Sequence, residues 1–241
     1  MKQIGVITPV PSVVDTLIEN SMLRQAVNRE KVHFHVVNLR DFTEGNYRQV
    51  DDTPFGGGHG MVMMAEPLFK AIDHLKKEMD FPVNGRIVYP SAQGVQWSHD
   101  LAEEYSKIKK LIFICGHYKG IDERVITRDV THEYTVGDYI MSCGELPAMV
   151  MIDSLVRLIP GVLNSSESAE SDSFPTGLLD APYYTKPREV EEMTVPDVLL
   201  SGHHSKIDNW RQIERENRTR ERRPDLWKKY LKQCEDSEKE S

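Results

Sequence analysis

Hydrophobic and polar positions along the chain fall into two alternating rhythms. Gln3–Thr8 alternates and is rich in β-branched residues, which predicts a first strand. Ser12 with Asp15 has the capping-box spacing, and Val14, Leu17, Ile18, Met22 and Val27 then mark one helix face. Val32–Val37 predicts a second strand, followed by a polar connection from Asn38 to Gly60. Glu66–Met79 carries Leu68, Ala71, Ile72 and Leu75 at helical spacing. Arg86–Tyr89 predicts a short buried strand closed by the loop Pro-Ser-Ala-Gln-Gly, and a helix begins near Ser98. Lys110–Cys115 is the most strand-like run, and Asp129–Val136 predicts another strand. Val136–Met149 then reads as a turn, a short apolar run, a second small-residue turn and the start of a helix running from Glu145 to Ile159.

Strands alternating with helices imply an α/β domain with a mainly parallel sheet, whose ligands gather beyond the carboxyl ends of the strands. Three loops hold that position, Tyr89–Gly94, Gly116–Gly120 and Val136–Gly144, and each carries glycine. Glycine at Gly137 and Gly144 predicts backbone turns with φ > 0 against which a flat ligand could lie. After Leu163 the periodicity stops. Residues 162–173 are rich in serine and acids and read as a flexible linker between a domain over residues 1–161 and a small, mostly helical domain over residues 174–241. In the latter, Ser205 with Asp208 repeats the capping-box spacing, helices run near Lys206–Arg222 and Pro224–Gln233, and the tail from Glu235 is expected to fray.

Composition changes this picture in two places. Over 241 residues the chain is 39% hydrophobic, enough for a packed core, and it has no apolar stretch of membrane-spanning length. Its first residues read as a strand entering a helix, with no leader pattern, and three cysteines without metal or disulfide spacing suit a reducing cytoplasm. A net charge of −8 argues against a nucleic-acid binder, but Arg211–Lys232 holds nine basic residues against four acids. That run is either a solvated helix or a basic face. Gly56–Gly60 lacks the Gly-Lys-Ser/Thr ending of a phosphate loop, and no histidine or cysteine cluster has zinc spacing. Arg157 among apolar neighbours must pair, snorkel or meet an anion. Asp172 closes the linker, and taken alone it is a solvated acid. The residues by themselves thus yield a cofactor-binding α/β domain, a linker and a basic helical appendix, without the reaction.

The ordered motifs VDDTPFGGGHGM, CGHYKGIDERV, VGDYIMSCGELPAM, IDSLVRLIPGVL, ESDSF, GLLDAPYYTKP and VPDVLLSGHH resemble the bacterial tRNA (guanine-N1)-methyltransferase family over nearly the whole chain. The resemblance implies a homodimer whose α/β domain is of the SPOUT type, a parallel sheet tied in a deep trefoil knot. It implies S-adenosyl-L-methionine held by Tyr89, Pro90, Gly116, Tyr118, Val136, Gly137, Tyr139, Met141, Cys143, Gly144 and Pro147. Asp172 matches the catalytic aspartate and Arg157 the catalytic arginine. The target would be N1 of guanosine 37, 3′ of the tRNA anticodon. Ser201, His203, Arg211, Arg215, Arg218 and Arg220 would meet the tRNA, with Arg222 and Arg223 beside them. The sequence departs from the family pattern at His59 (a proline there), Cys143 (a glycine) and Lys119, which replaces a glutamate near the cofactor and magnesium. Mg2+ is therefore an open requirement. Other readings are a knotted methyltransferase acting on a different RNA and a non-catalytic RNA-binding relative; a substrate screen and a cofactor titration separate them.

Overall fold

The computed structural model describes residues 1–45, 47–163 and 172–239. The chain divides into two compact units, Met1–Asn164 and Ser165–Ser241.

Five parallel strands form the sheet of the first unit: β1 (Lys2–Thr8), β2 (Val32–Asn38), and three longer-range partners. A two-residue antiparallel pair, β3 (Asp51–Asp52) with β4 (Val62–Met63), stands apart from it and brackets the glycine loop. The remaining strands of the main sheet are β5 (Arg86–Gln96), β6 (Lys110–Ile114) and β7 (His132–Thr135), in the order β2-β1-β6-β5-β7. All of their pairings are parallel, with Ile4 opposite both Phe34 and Leu111 at the centre. Ile4, Val6 and Phe113 face one hydrophobic layer, and Ile7, Ile112 and Ile114 the other. Both faces are thus covered, which is the environment a parallel sheet requires.

Helices supply the two layers. The face on β1 expected as one helix is two, α1 (Pro11–Asn20) and α2 (Met22–Asn28), because the extended Ser21 accepts a hydrogen bond from Leu23 N and starts a new helix. Ser12 does not cap α1. Pro11 occupies the first helical position and Val10 precedes it without a side-chain bond. The other helices of this unit are α3 (Ala65–Glu78), α4 (His99–Lys107, capped by Ser98), α5 (Glu123–Asp129) and α6 (Glu145–Val156). The short α5, capped by Asp122, lies in a stretch where no helix was expected, and Asp129 ends it instead of beginning a strand. The Asp129 carboxylate is buried and satisfied by Lys76 Nζ and Arg128 Nε, both at 2.6 Å. Helix α6 stops at Val156 with Arg157 as its C-cap, three residues short of Ile159.

The boundary expected at residue 162 also moves. Val162 is fully buried in the first unit, and its carbonyl accepts from Arg29 at 2.7 Å. Of the expected linker, residues 164–171 lie outside the described residues. Ser173 is already engaged in the second unit, where its Oγ accepts from Asp180 N at 2.9 Å.

Among its described residues the second unit has a small hairpin, β8 (Glu189–Val190) with β9 (Met193–Thr194), and three helices, α7 (Asp197–Leu200), α8 (His204–Arg222) and α9 (Pro224–Lys239). Ser205 lies inside the first turn of α8 and caps nothing; His203 is the N-cap. Helix α9 continues through Glu235 to Lys239, where fraying was expected. Among the described residues no helix is long and apolar enough to cross a membrane.

Candidate active site

The middle of β5 and the two glycine loops that follow β6 and β7 meet around a cavity of about 400 Å3. All eleven residues expected at the cofactor line it: Tyr89, Pro90, Gly116, Tyr118, Val136, Gly137, Tyr139, Met141, Cys143, Gly144 and Pro147.

The first loop is not a separate loop. Residues 91–94 are a bulge inside one long strand, since Pro90 and Val95 both stand opposite Tyr134 on β7. Gly94 is needed there because a Cβ would lie 2.3 Å from Tyr134 N. The buried Tyr89 ring passes beneath the second loop. A Cβ on Gly116 would sit 2.8 Å from that ring, so the glycine makes room for it. Burial first, and the Glu133 charge second, hold the Tyr89 hydroxyl above its ordinary value.

The second and third loops touch backbone to backbone. Gly144 N donates to Gly116 O at 2.8 Å. A Cβ on Gly144 would lie 2.4 Å from Gly116 N, against a peptide that no rotamer change can clear. Gly144 has a helical φ of −79°, so the expected left-handed turn is absent there and close approach is what demands glycine. Gly137, with φ +155°, does use its conformational freedom. Tyr118 is left-handed without being glycine, at φ +59°. Burial and a hydrogen bond to Asp51 raise its hydroxyl, and Arg40 opposes them.

Beneath these loops lies a polar cluster that sequence reasoning missed. Glu145, the first residue of α6, is completely buried. His117 Nε2 donates to its carboxylate at 2.8 Å, Thr8 Oγ1 donates to Oε1, and Thr8 Oγ1 accepts from Val10 N at 2.9 Å. Burial pushes the Glu145 carboxyl up, but the hydrogen bonds from His117 and Thr8 outweigh it and hold it below the usual range. The end of β1, the loop after β6 and the start of α6 are thereby tied at one carboxylate. An acid at the start of an apolar helix was the one available signal, and it reads equally as a first-turn charge. Cys115 beside this cluster is buried, and burial pushes its thiol well up. Lys119 also lines the cavity, with its side-chain carbons 3.0 Å from where a Cβ on Gly60 would stand.

Within the first unit, Arg157 does not line this cavity. Arg157 caps the far end of α6, and twelve residues separate Glu145 from it, about 18 Å of helix. Asp172 is half-buried in the second unit. There, Ser201 Oγ donates to Val198 O at 2.7 Å and accepts from His203 N at 3.2 Å, fixing the turn before α8. Arg211 and Arg220 are exposed. Arg215 is turned inward, with its Nη2 3.0 Å from Asp180 Oδ1, and Arg218 donates to Asp180 O at 3.4 Å. Arg223 is paired with Asp225 at 2.6 Å. Among the described residues no group of three histidine, cysteine or acidic side chains could hold a metal ion.

Residues 1–229 match the family model described as tRNA (Guanine-1)-methyltransferase TrmD. A tRNA (guanine-N(1)-)-methyltransferase of Brevibacillus brevis is 48% identical over 227 residues, covering 94% of this chain and 92% of its own. One of the same name from Staphylococcus haemolyticus is 46% identical over 228 residues, covering 95% and 91%. One from Staphylococcus aureus strain JH9 is 45% identical over 236 residues, covering 98% and 95%. Matched almost from end to end by that family model and by these relatives, the chain belongs to the tRNA (guanine-1)-methyltransferase family.

Proposed function

We propose that this enzyme transfers the methyl group of S-adenosyl-L-methionine to N1 of guanosine 37 in tRNA, acting in the cytoplasm as a homodimer. The observation that carries the reading is the convergence of the three glycine-bearing segments on one cavity, two of them joined backbone to backbone. Its volume suits a nucleoside-sized ligand, and Gly116, Gly137 and Gly144 let Tyr89, Tyr139 and the facing backbone pack into its wall. When bound, the cofactor supplies an activated methyl on a sulfonium.

The chain's own residues do the rest. Guanine N1 carries a proton and becomes nucleophilic when that proton leaves. Asp172 takes it as general base. Negative charge then grows toward O6, where the Arg157 guanidinium stabilises it. Binding both reactants side by side aligns N1 with the methyl. Within one chain Arg157 stands about 15 Å along α6 from Pro147, the residue of that helix that lines the cavity, which favours its service to the cavity of a second copy. Leu146 and Val150 support such pairing: they stand one turn apart on α6, next to the cavity, 45% and 54% exposed. The return of the chain after β7 to touch the loop after β6 suits the deep trefoil knot of the SPOUT class. The second unit, with exposed Arg211, Arg220 and Arg222, would follow the tRNA backbone. Asp180 occupies Arg215 and Arg218, which gives them the role of holding that surface in shape.

The test is transfer of labelled methyl from S-adenosyl-L-methionine to a tRNA transcript with guanine at position 37. Labelling should depend on that guanine. No transfer, or transfer that survives its replacement by adenine, would overturn the reading. Running the assay with and without a chelator decides the magnesium requirement at Lys119.

A further inference from the structure

The second unit contains a cavity of its own, about 430 Å3 in volume. Val195, Leu199 and Ile207 give it an apolar floor. Tyr183 and Tyr184 flank it with 70% and 48% of their surface exposed, so two adjacent aromatic rings stand open to solvent. Tyr183 is held in place: its hydroxyl donates to Asp180 Oδ2 at 2.5 Å, and Asp180 is in turn gripped by Arg215. Lys186, Arg188 and Arg211 line the same cavity, and none of its lining residues is acidic. Arg188 is partnered by Asp197 at 2.8 Å, whereas Arg211 stands 3.8 Å from Asp208.

A flat apolar ring bonded to an anion satisfies every part of this arrangement. Aromatic side chains stack on any base face, and flanking cations meet the attached phosphate. A purely apolar peptide would leave the cations unused, and a free phosphate would leave the tyrosines and the apolar floor unused. We infer that this cavity receives an unpaired nucleobase of the bound tRNA, stacked on Tyr184 with its phosphate at Lys186 and Arg211. The inference rests on the tRNA reading above and adds a base-holding site on the second unit.

The experiment measures affinity of the full-length protein for a substrate tRNA transcript across a range of salt, by fluorescence anisotropy. Tyr184→Ala should raise the dissociation constant about ten-fold, as loss of one stacked base does, with an unchanged salt slope because no charge is lost. Tyr184→Phe should bind as the unaltered protein does. Lys186→Ala should lower the salt slope by about one. Leu200→Glu, a change at an exposed residue on the cavity wall, should weaken binding at least about ten-fold by repelling the phosphate. Tyr184→Trp should keep affinity and show added quenching of its fluorescence on tRNA addition. A circular-dichroism melt of each variant reports folding; if Tyr184→Ala is misfolded, Leu200→Glu and the Tyr184→Trp signal decide. Affinities of Tyr184→Ala and Leu200→Glu within about two-fold of the unaltered protein would overturn the inference while leaving methyl transfer intact. Loss of self-association in place of tRNA affinity would assign the cavity to a second copy and overturn it too. Failure of the unaltered protein to bind or methylate any tRNA would instead remove the reading beneath it.

Discussion

Adding one methyl group at Gly144 should uncouple the cavity wall. A Cβ there would lie 2.4 Å from Gly116 N, 2.8 Å from Gly116 O and 2.9 Å from Cys115 C. Favourable carbon contacts begin near 3.5 Å, so the two loops must part by about 1 Å. Neither side yields easily. Cys115 N is bonded to Ile7 O at 2.9 Å within the sheet, and α6 is held by the buried Glu145. Parting the loops breaks the 2.8 Å bond from Gly144 N to Gly116 O, worth about 1 kcal/mol net, and overpacking adds about 1–3 kcal/mol. The backbone at Gly144 is helical, so alanine brings no dihedral strain to blur the result. A total of about 2–4 kcal/mol corresponds to a fall of roughly 5–15 °C in the melting temperature of a unit this size. Calorimetric melting and a titration with S-adenosyl-L-methionine measure both consequences, and cofactor affinity should drop at least about ten-fold. Gly58→Ala is the contrast. Nothing lies within 4 Å of a Cβ there, and φ is +110°, so only backbone strain enters and cofactor affinity should hold. A Gly144→Ala protein that melts with the unaltered enzyme and binds cofactor equally well would refute the reasoning.

Three further outcomes follow from the same geometry. Asp172→Asn should abolish methyl transfer while cofactor titration stays unchanged; near-normal turnover would remove Asp172 as the base. The folded Glu145 carboxyl titrates below its ordinary value, so the stability it confers is present above about 4.5 and lost as pH falls through the folded value. Glu145→Gln should therefore flatten the acid limb of a urea-melt series relative to the unaltered protein, and an identical limb would count against the cluster. Lys2 Nζ donates to Tyr105 O at 2.8 Å, and burial pulls its ammonium down to about 8, below the 10.5 of a free lysine. The unfolded chain then binds more protons between these values, so stability should rise across pH 8–10, by at most on the order of 3 kcal/mol. Lys2→Met should lack this rise, and a difference curve sloping the other way would exclude the assignment.

What could be read in the sequence depended on how local the cause was. Lys110–Ile114 is a strand because its own residues are apolar and bounded by glycine, and it was visible as such. The three loops declared themselves through glycine, although the reason at Gly144 was misjudged: the neighbour that forbids a side chain is 28 residues away, at Gly116. The stretch Ser91–Gly94 looks like a turn in isolation and is a bulge only because β7 pairs with the strand on both sides of it. Glu145 carried too weak a local signal, since Thr8, which satisfies it, lies 137 positions earlier. Serines at capping spacing misled twice, where Pro11 and His203 set the helix starts. The inward turn of Arg215 was equally hidden, because Asp180 reaches it across a fold of the second unit.

The contact between Gly144 and Gly116 has a bearing on inhibitor resistance. The peptide groups of these two loops keep their donors and acceptors whatever side chains the loops carry. This chain already holds Cys143 and Lys119 in those loops with the contact intact. A compound that reads the backbone of the two loops would leave the enzyme few single substitutions with which to evade it. The glycines themselves are poor escape routes, because any side chain at Gly144 collides with the backbone of Cys115 and Gly116.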